Sequence, residues 1–120
     1  MAQVAKRKLS ASTSGRGVKV AATSTPGTTV HTAYTTSTTA GAYDEVWLYA
    51  YNSDTVDRLI TVELGGATSP DDHVKVTIPA QQGRFLVLDG AVLQGGLSIG
   101  VFAAAANVIV ITGFVNLITP

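Results

Sequence analysis

Residues 44–54 read DEVWLYAYNSD, and their alternation decides the fold class. Val46, Leu48 and Ala50 fall on one side of an extended chain while Trp47, Tyr49 and Tyr51 fall on the other, which is the two-residue period of a β-strand. Asn52, Ser53 and Asp54 are turn formers and end it. The same grammar repeats downstream. Residues 58–64 place Ile60, Val62 and Leu64 on one face before Gly65 and Gly66, and residues 73–78 place Val74, Val76 and Ile78 inward with His73, Lys75 and Thr77 outward. Pro79 lacks the N–H that a ladder needs, so residues 79–83 read as a connection into a strand over 84–88, closed by a turn at Asp89 and Gly90. Residues 97–103 and 108–118 make the last two strands, joined at Ala105, Ala106 and Asn107. No stretch carries a helical stripe with caps. About five or six short strands at this spacing predict an all-β fold, an antiparallel β-sandwich or jelly-roll-like barrel.

Upstream of residue 43 the character changes. Residues 1–42 are rich in small polar side chains, with eleven Ser or Thr among the seventeen positions 23–39, and they read as an extended N-terminal arm attached to a body over 43–120. Residues 18–22 and 28–34 are candidate strands within that arm, with Pro26 and Gly27 as the turn between them. Charge divides the same way. Residues 1–43 hold Lys6, Arg7, Lys8, Arg16 and Lys19 and no acid, while the remainder holds three bases against eight acids, so a basic arm balances an acidic body. Such an arm suits an acidic protein surface, nucleic-acid phosphates, or the acidic body of a neighbouring copy. With so few cations and no aromatic among them, specific nucleic-acid recognition is not expected.

The 120 residues suffice for one hydrophobic core. Hydrophobic residues make up 46% and charged residues only 13%, about half the usual charged share, which excludes general disorder and leaves a surface short of charge. A subunit interface is the ordinary cover for such a surface. Two strands are apolar on both faces: the run Val108, Ile109, Val110 and Ile111 does not alternate, and Trp47, Tyr49 and Tyr51 back onto an apolar row. These mark Trp47, Tyr49, Tyr51, Val108 and Val110 as candidate interface residues. For residues 108–111 the alternative is a central strand covered by the chain's own arm. The uncharged stretch 97–118 is long enough to span a bilayer as a helix, but Asn107, Asn116, Gly100, Gly113 and the β-branched run 108–112 argue for strands, and no membrane partner is expected. The basic start has no apolar run behind it, so no secretory signal is expected.

Chemistry-bearing patterns are sparse. There is no cysteine, and His31 and His73 lack partners at metal-ligand spacing. Asp71, Asp72 and His73 are adjacent, but three consecutive residues at a strand entrance do not converge on one centre, and they read as a solvated turn. Asp44 with Glu45 reads likewise as a charged strand entrance. No nucleophile elbow, P-loop or dinucleotide fingerprint occurs, so neither catalytic residues nor cofactors are expected and the chain reads as a non-enzyme. The aromatic row Trp47, Tyr49 and Tyr51 fits either a protein interface or a stacking platform for sugar rings.

The succession VWLYAYNSDT (46–55), LITVELGG (59–66), VKVTIPAQQGRFLVLDG (74–90) and SIGVFAAAANVIVITGFVNLI (98–118) resembles small virion proteins of tailed bacteriophages. The resemblance covers roughly residues 44–118 and lies in strand pattern and phrasing. It implies a capsid decoration, or cement, protein: a β-rich, commonly trimeric domain on the outside of the head that binds the major capsid protein. On that expectation Lys6, Arg7, Lys8, Arg16 and Lys19 pin the arm to an acidic surface while the body forms a homotrimer. The alternatives are a tail, connector or fibre-base component and a carbohydrate-binding module.

Overall fold

The alternating segments become strands with the parity read from the sequence. The computed structural model describes residues 2–120 and contains nine strands: β1 (Gln3–Lys8), β2 (Val18–Lys19), β3 (Thr28–Thr32), β4 (Tyr43–Asn52), β5 (Arg58–Leu64), β6 (His73–Ile78), β7 (Phe85–Leu93), β8 (Ser98–Ala103) and β9 (Ile109–Thr119). One sheet, A, has the order β1-β9-β4-β7 with β2 also on β9, and the other, B, has the order β3-β8-β5-β6. All neighbouring strands in both sheets are antiparallel.

β1 and β2 lie end to end on one edge of β9, β1 against residues 114–119 and β2 against 110–111, so they act as a single edge strand interrupted by residues 9–17. Taken as one strand, they complete a nested set in which first pairs with last: β1/β2 with β9, β3 with β8, β4 with β7 and β5 with β6. Contacts of β4 with β9 and of β5 with β8 then roll this long hairpin into two layers. That is the strand order of a jelly roll. Val46, Leu48 and Ala50 from β4, Ile109, Ile111 and Val115 from β9, Ile60 and Val62 from β5, and Ile99 and Val101 from β8 fill the space between the sheets, all fully buried. Each Val, Leu or Ile among them contributes roughly 1.5–3 kcal/mol by leaving water.

The N-terminal segment departs from the extended arm expected over 1–42. It supplies three strands to the sandwich, and Leu9, Val20, Val30 and Ala33 are part of the same core as residues 43–120. Without it, β9 and β8 would each expose an unpaired edge. The polarity of the segment misleads because an edge strand needs apolar residues on one face only. A second departure lies in β7. The turn expected at Asp89 and Gly90 is a β-bulge inside a longer strand, with Gly90 at φ +95° absorbing the extra residue where the register shifts between Val46 and Trp47. The uncharged stretch 97–118 forms β8 and β9, and no helix among the described residues is long and apolar enough to cross a membrane.

Candidate partner-binding face

Period-two alternation turns Glu45, Trp47, Tyr49 and Tyr51 of β4 away from the core, and the register with β9 sets them opposite Asn116, Phe114, Thr112 and Val110 on the outer face of sheet A. Trp47 and Phe114 stack with ring centroids 5.9 Å apart and planes within 8°. From the other side of β9, the Lys6 ammonium lies 4.4 Å over the Phe114 ring, so Phe114 is held between a cation and an indole. The Trp47 indole N–H and the Asn116 amide both donate to Glu45 Oε1 at 3.0 Å, and these two hydrogen bonds hold the Glu45 carboxyl below its ordinary range.

The cations expected in a separate arm gather around this row. Lys6 and Lys8 pair with Asn116 and Phe114, and Lys19 pairs with Val110, so all three share the outward face, while Arg16 lies in the loop between β1 and β2. Arg7 has the opposite parity and packs over the Tyr34 ring at 5.5 Å. Arg84, from the connection between β6 and β7, lies 5.6 Å over the Tyr49 ring. Asp89, opposite Trp47, and the hydrogen-bonded Glu45 are the acids on this face. Among the described residues Arg84 has no carboxylate within salt-bridge distance. Val4, Leu86 and Val92 add exposed aliphatic surface on the same side, at 64%, 44% and 59% exposure.

Between the loop after β1 and the aromatic row is a cavity of about 410 Å³ lined by Gly15, Tyr49, Arg84, Gly113 and Phe114. Next to it, in register with Tyr49, the Thr112 hydroxyl is buried without a hydrogen-bond partner. Gly113 lies so close to β4 that a Cβ there would run into the Trp47 carbonyl oxygen, which brings the two central strands together beneath the cavity. Tyr51 continues the row opposite Val110. Of the remaining candidate interface residues, Val108 packs against the core, and Gly17 lies directly over the Val110 side chain. The chain's own N-terminal segment therefore gives Val110 its cover. Phe114 and Arg84 were not singled out by the sequence: Phe114 has the outward parity of β9 but gains meaning only from its register with Trp47, and nothing local marks Arg84.

Two histidine–carboxylate pairs also form outside that face. His31 Nε2 lies 2.7 Å from Asp44 Oδ2, with both side chains fully buried. The Ser10 amide donates to His31 Nδ1 at 3.0 Å, which leaves the proton on Nε2 to be donated to Asp44. Burial pushes the Asp44 carboxyl up, but the hydrogen bonds from His31, the Thr35 hydroxyl and the Tyr34 and Thr35 amides outweigh it, and its pKa is lowered. Asp44 is thus no solvated strand entrance; parity points it into the core, where four donors satisfy it. On the outer face of sheet B, Glu63 accepts from the Thr25 hydroxyl and the Gly27 amide, and His73 Nε2 lies 3.8 Å from its Oε2. His73 also meets Phe102 edge-on, so the turn reading of residues 71–73 holds for the Asp72 backbone but not for this buried ring. The first pair links the two sheets and the second joins neighbouring strands, while the carboxylate of each also holds loop backbone amides. Among the described residues no group of three or more His, Asp or Glu side chains is placed to hold a metal ion.

No family model matches the sequence, and neither the curated proteins nor the solved structures yield a significant match.

Proposed function

We propose that this chain is a structural protein of a tailed-bacteriophage particle, a decoration protein that binds the outer surface of the head lattice with the major capsid protein as partner and associates with copies of itself as a homotrimer. The observation that carries the reading is the outer face of sheet A. There the aromatic row of β4 and Arg84, residue types that protein interfaces favour, form one surface with Lys6, Lys8, Lys19 and exposed aliphatic side chains. The phrasing of the four sequence segments quoted above supplies the viral setting. Because β1 and β2 hold Lys6, Lys8 and Lys19 on a sheet, those cations are presented already ordered, and binding through them forfeits little conformational entropy. Repetition on a lattice multiplies a weak single contact into firm attachment.

A sugar-binding role for the aromatic row has less support. Lys6 and Trp47 flank the Phe114 ring and Arg84 covers Tyr49, so these rings do not lie open as a flat platform. A place in the tail, connector or fibre base would use the same surface at low copy number. Quantifying the protein in purified particles by mass spectrometry separates these readings: lattice-scale abundance is expected, a tail-scale number would move the protein off the head, and absence from particles would end the proposal. Light scattering of the purified chain should give the mass of a trimer.

A further inference from the structure

The geometry points to the cavity between Arg84, Tyr49 and Phe114 as an anchor site for a carboxylate side chain, presented by an acidic extended segment of a partner protein laid across the outer face of sheet A. This rests on the interface reading proposed above and names the chemistry of the segment. Three observations converge. First, the Arg84 guanidinium lies 5.6 Å over the Tyr49 ring, beside a cavity of about 410 Å³ that both residues line, and has no carboxylate partner among the described residues. A guanidinium beside an aromatic ring and without an acidic partner keeps its N–H groups available, and a carboxylate is the group that accepts them in pairs.

Second, the charge around the cavity is unbalanced. Lys6, Lys8 and Lys19 project from the same face, and Arg16 follows Gly15 of the cavity lining. Glu45 already accepts from Trp47 and Asn116, which leaves Asp89 as the unengaged acid, at the far side of Trp47. An acidic segment is therefore attracted along the whole N-terminal side of the face. Third, the neighbouring surface is aliphatic. Leu86 is in register with Tyr49 and is 44% exposed. A carboxylate at Arg84 with an apolar side chain along Leu86 matches a polypeptide, whereas a sugar ring would find Tyr49 and Phe114 already covered.

The intact chain carries its own reporter, because Trp47 is the sole tryptophan and stacks on the Phe114 wall of the cavity. Titration at low ionic strength with a short peptide of alternating glutamate and leucine should change Trp47 emission saturably. Arg84→Gln should weaken that response roughly tenfold or more, since a charge-assisted bidentate pair is lost. Arg84→Lys should fall between the two, and Lys75→Gln, on the outer face of the other sheet, should bind as the wild type does. A flat titration, a response that Arg84→Gln leaves intact, or equal binding of the glutamine–leucine peptide would overturn the assignment, and tighter binding of oligogalacturonate would give the site to acidic sugars instead. Co-sedimentation with particles stripped of the protein separates this assignment from the reading beneath it. Particles that take up wild type but not Arg84→Gln support both, whereas equal uptake of the two removes the anchor role and leaves the decoration role standing. A chain that binds the peptide through Arg84 but is not taken up leaves the site standing and removes the decoration role.

Discussion

His31 on β3 and Asp44 on β4 form a 2.7 Å hydrogen bond across the interior of the sandwich, linking sheet B to sheet A through two wholly buried side chains. Ser10 is tied to the same histidine, and the backbone after β3 to the same carboxylate. One polar cluster thus fixes the N-terminal segment, both sheets and the loop between β3 and β4. Its value lies in completeness, because any member removed leaves the others buried without partners.

Asp44→Ala should therefore lower stability by roughly 3–5 kcal/mol, because four buried donors lose their acceptor at about 1–3 kcal/mol for each left unpaired. Urea unfolding at neutral pH measures it. A loss below about 1 kcal/mol, the net worth of a single ordinary hydrogen bond, would show that the cluster is not acting as a unit.

The lowered pKa of Asp44 sets the sign of a pH effect. A carboxyl more acidic in the folded chain contributes stability that is complete above its unfolded value, about 4, and is lost as pH falls through the folded value. The stability gap between wild type and Asp44→Asn should accordingly be constant from neutrality down to that range and narrow below it. A gap that widens on acidification would contradict the assignment of a charged Asp44.

Leu9 tests the membership of the N-terminal segment in the core. It lies between β1 and β2 and is 1% exposed, so Leu9→Ala should cost about 2–5 kcal/mol. Deleting residues 2–20 also removes Val20 and the strands along β9, and should abolish cooperative thermal unfolding. If the truncated chain melts like the full one, residues 2–20 are a dispensable arm.

Gly113 controls the contact between the central strands of sheet A. A methyl group there meets the Trp47 carbonyl, a backbone atom that cannot swing aside, so Gly113→Ala should destabilise by about 1–3 kcal/mol and shift Trp47 emission as β4 and β9 separate. Phe114→Ala, which takes away the stacked ring without forcing the strands apart, should shift the emission with a smaller loss of stability. Equal stability losses in the two variants would mean that β9 yields at Gly113.

The strands of residues 43–120 were legible because period-two alternation is a local property, and β4 to β9 fall where the pattern places them. The inward and outward parity of Trp47, Tyr49, Ile60, Val62 and His73 was legible for the same reason. The bulge at Gly90 was read as a turn, because a glycine after an aspartate suits either and only the length of the partner strand β4 decides between them. The binding face was half legible. Its two ingredients, the N-terminal cations and the aromatic row, could each be named, but their separation by some forty positions along the chain concealed that they adjoin.

By itself, then, the sequence determined the all-β class and the strand faces, which depend on neighbours one or two positions apart, and the absence of acids from the first 43 residues, which composition alone shows. The tertiary structure alone decided that β1 and β2 close the edge of β9, that His31 meets Asp44 inside the core, and that Arg84 and Phe114 join Tyr49 around one cavity. Those pairings join residues from 13 positions apart, His31 and Asp44, to 116, Gln3 and Thr119. They arise because a long hairpin rolled into two layers brings its first strand against its last, a consequence of burying both sheets' apolar faces at once that no local pattern encodes.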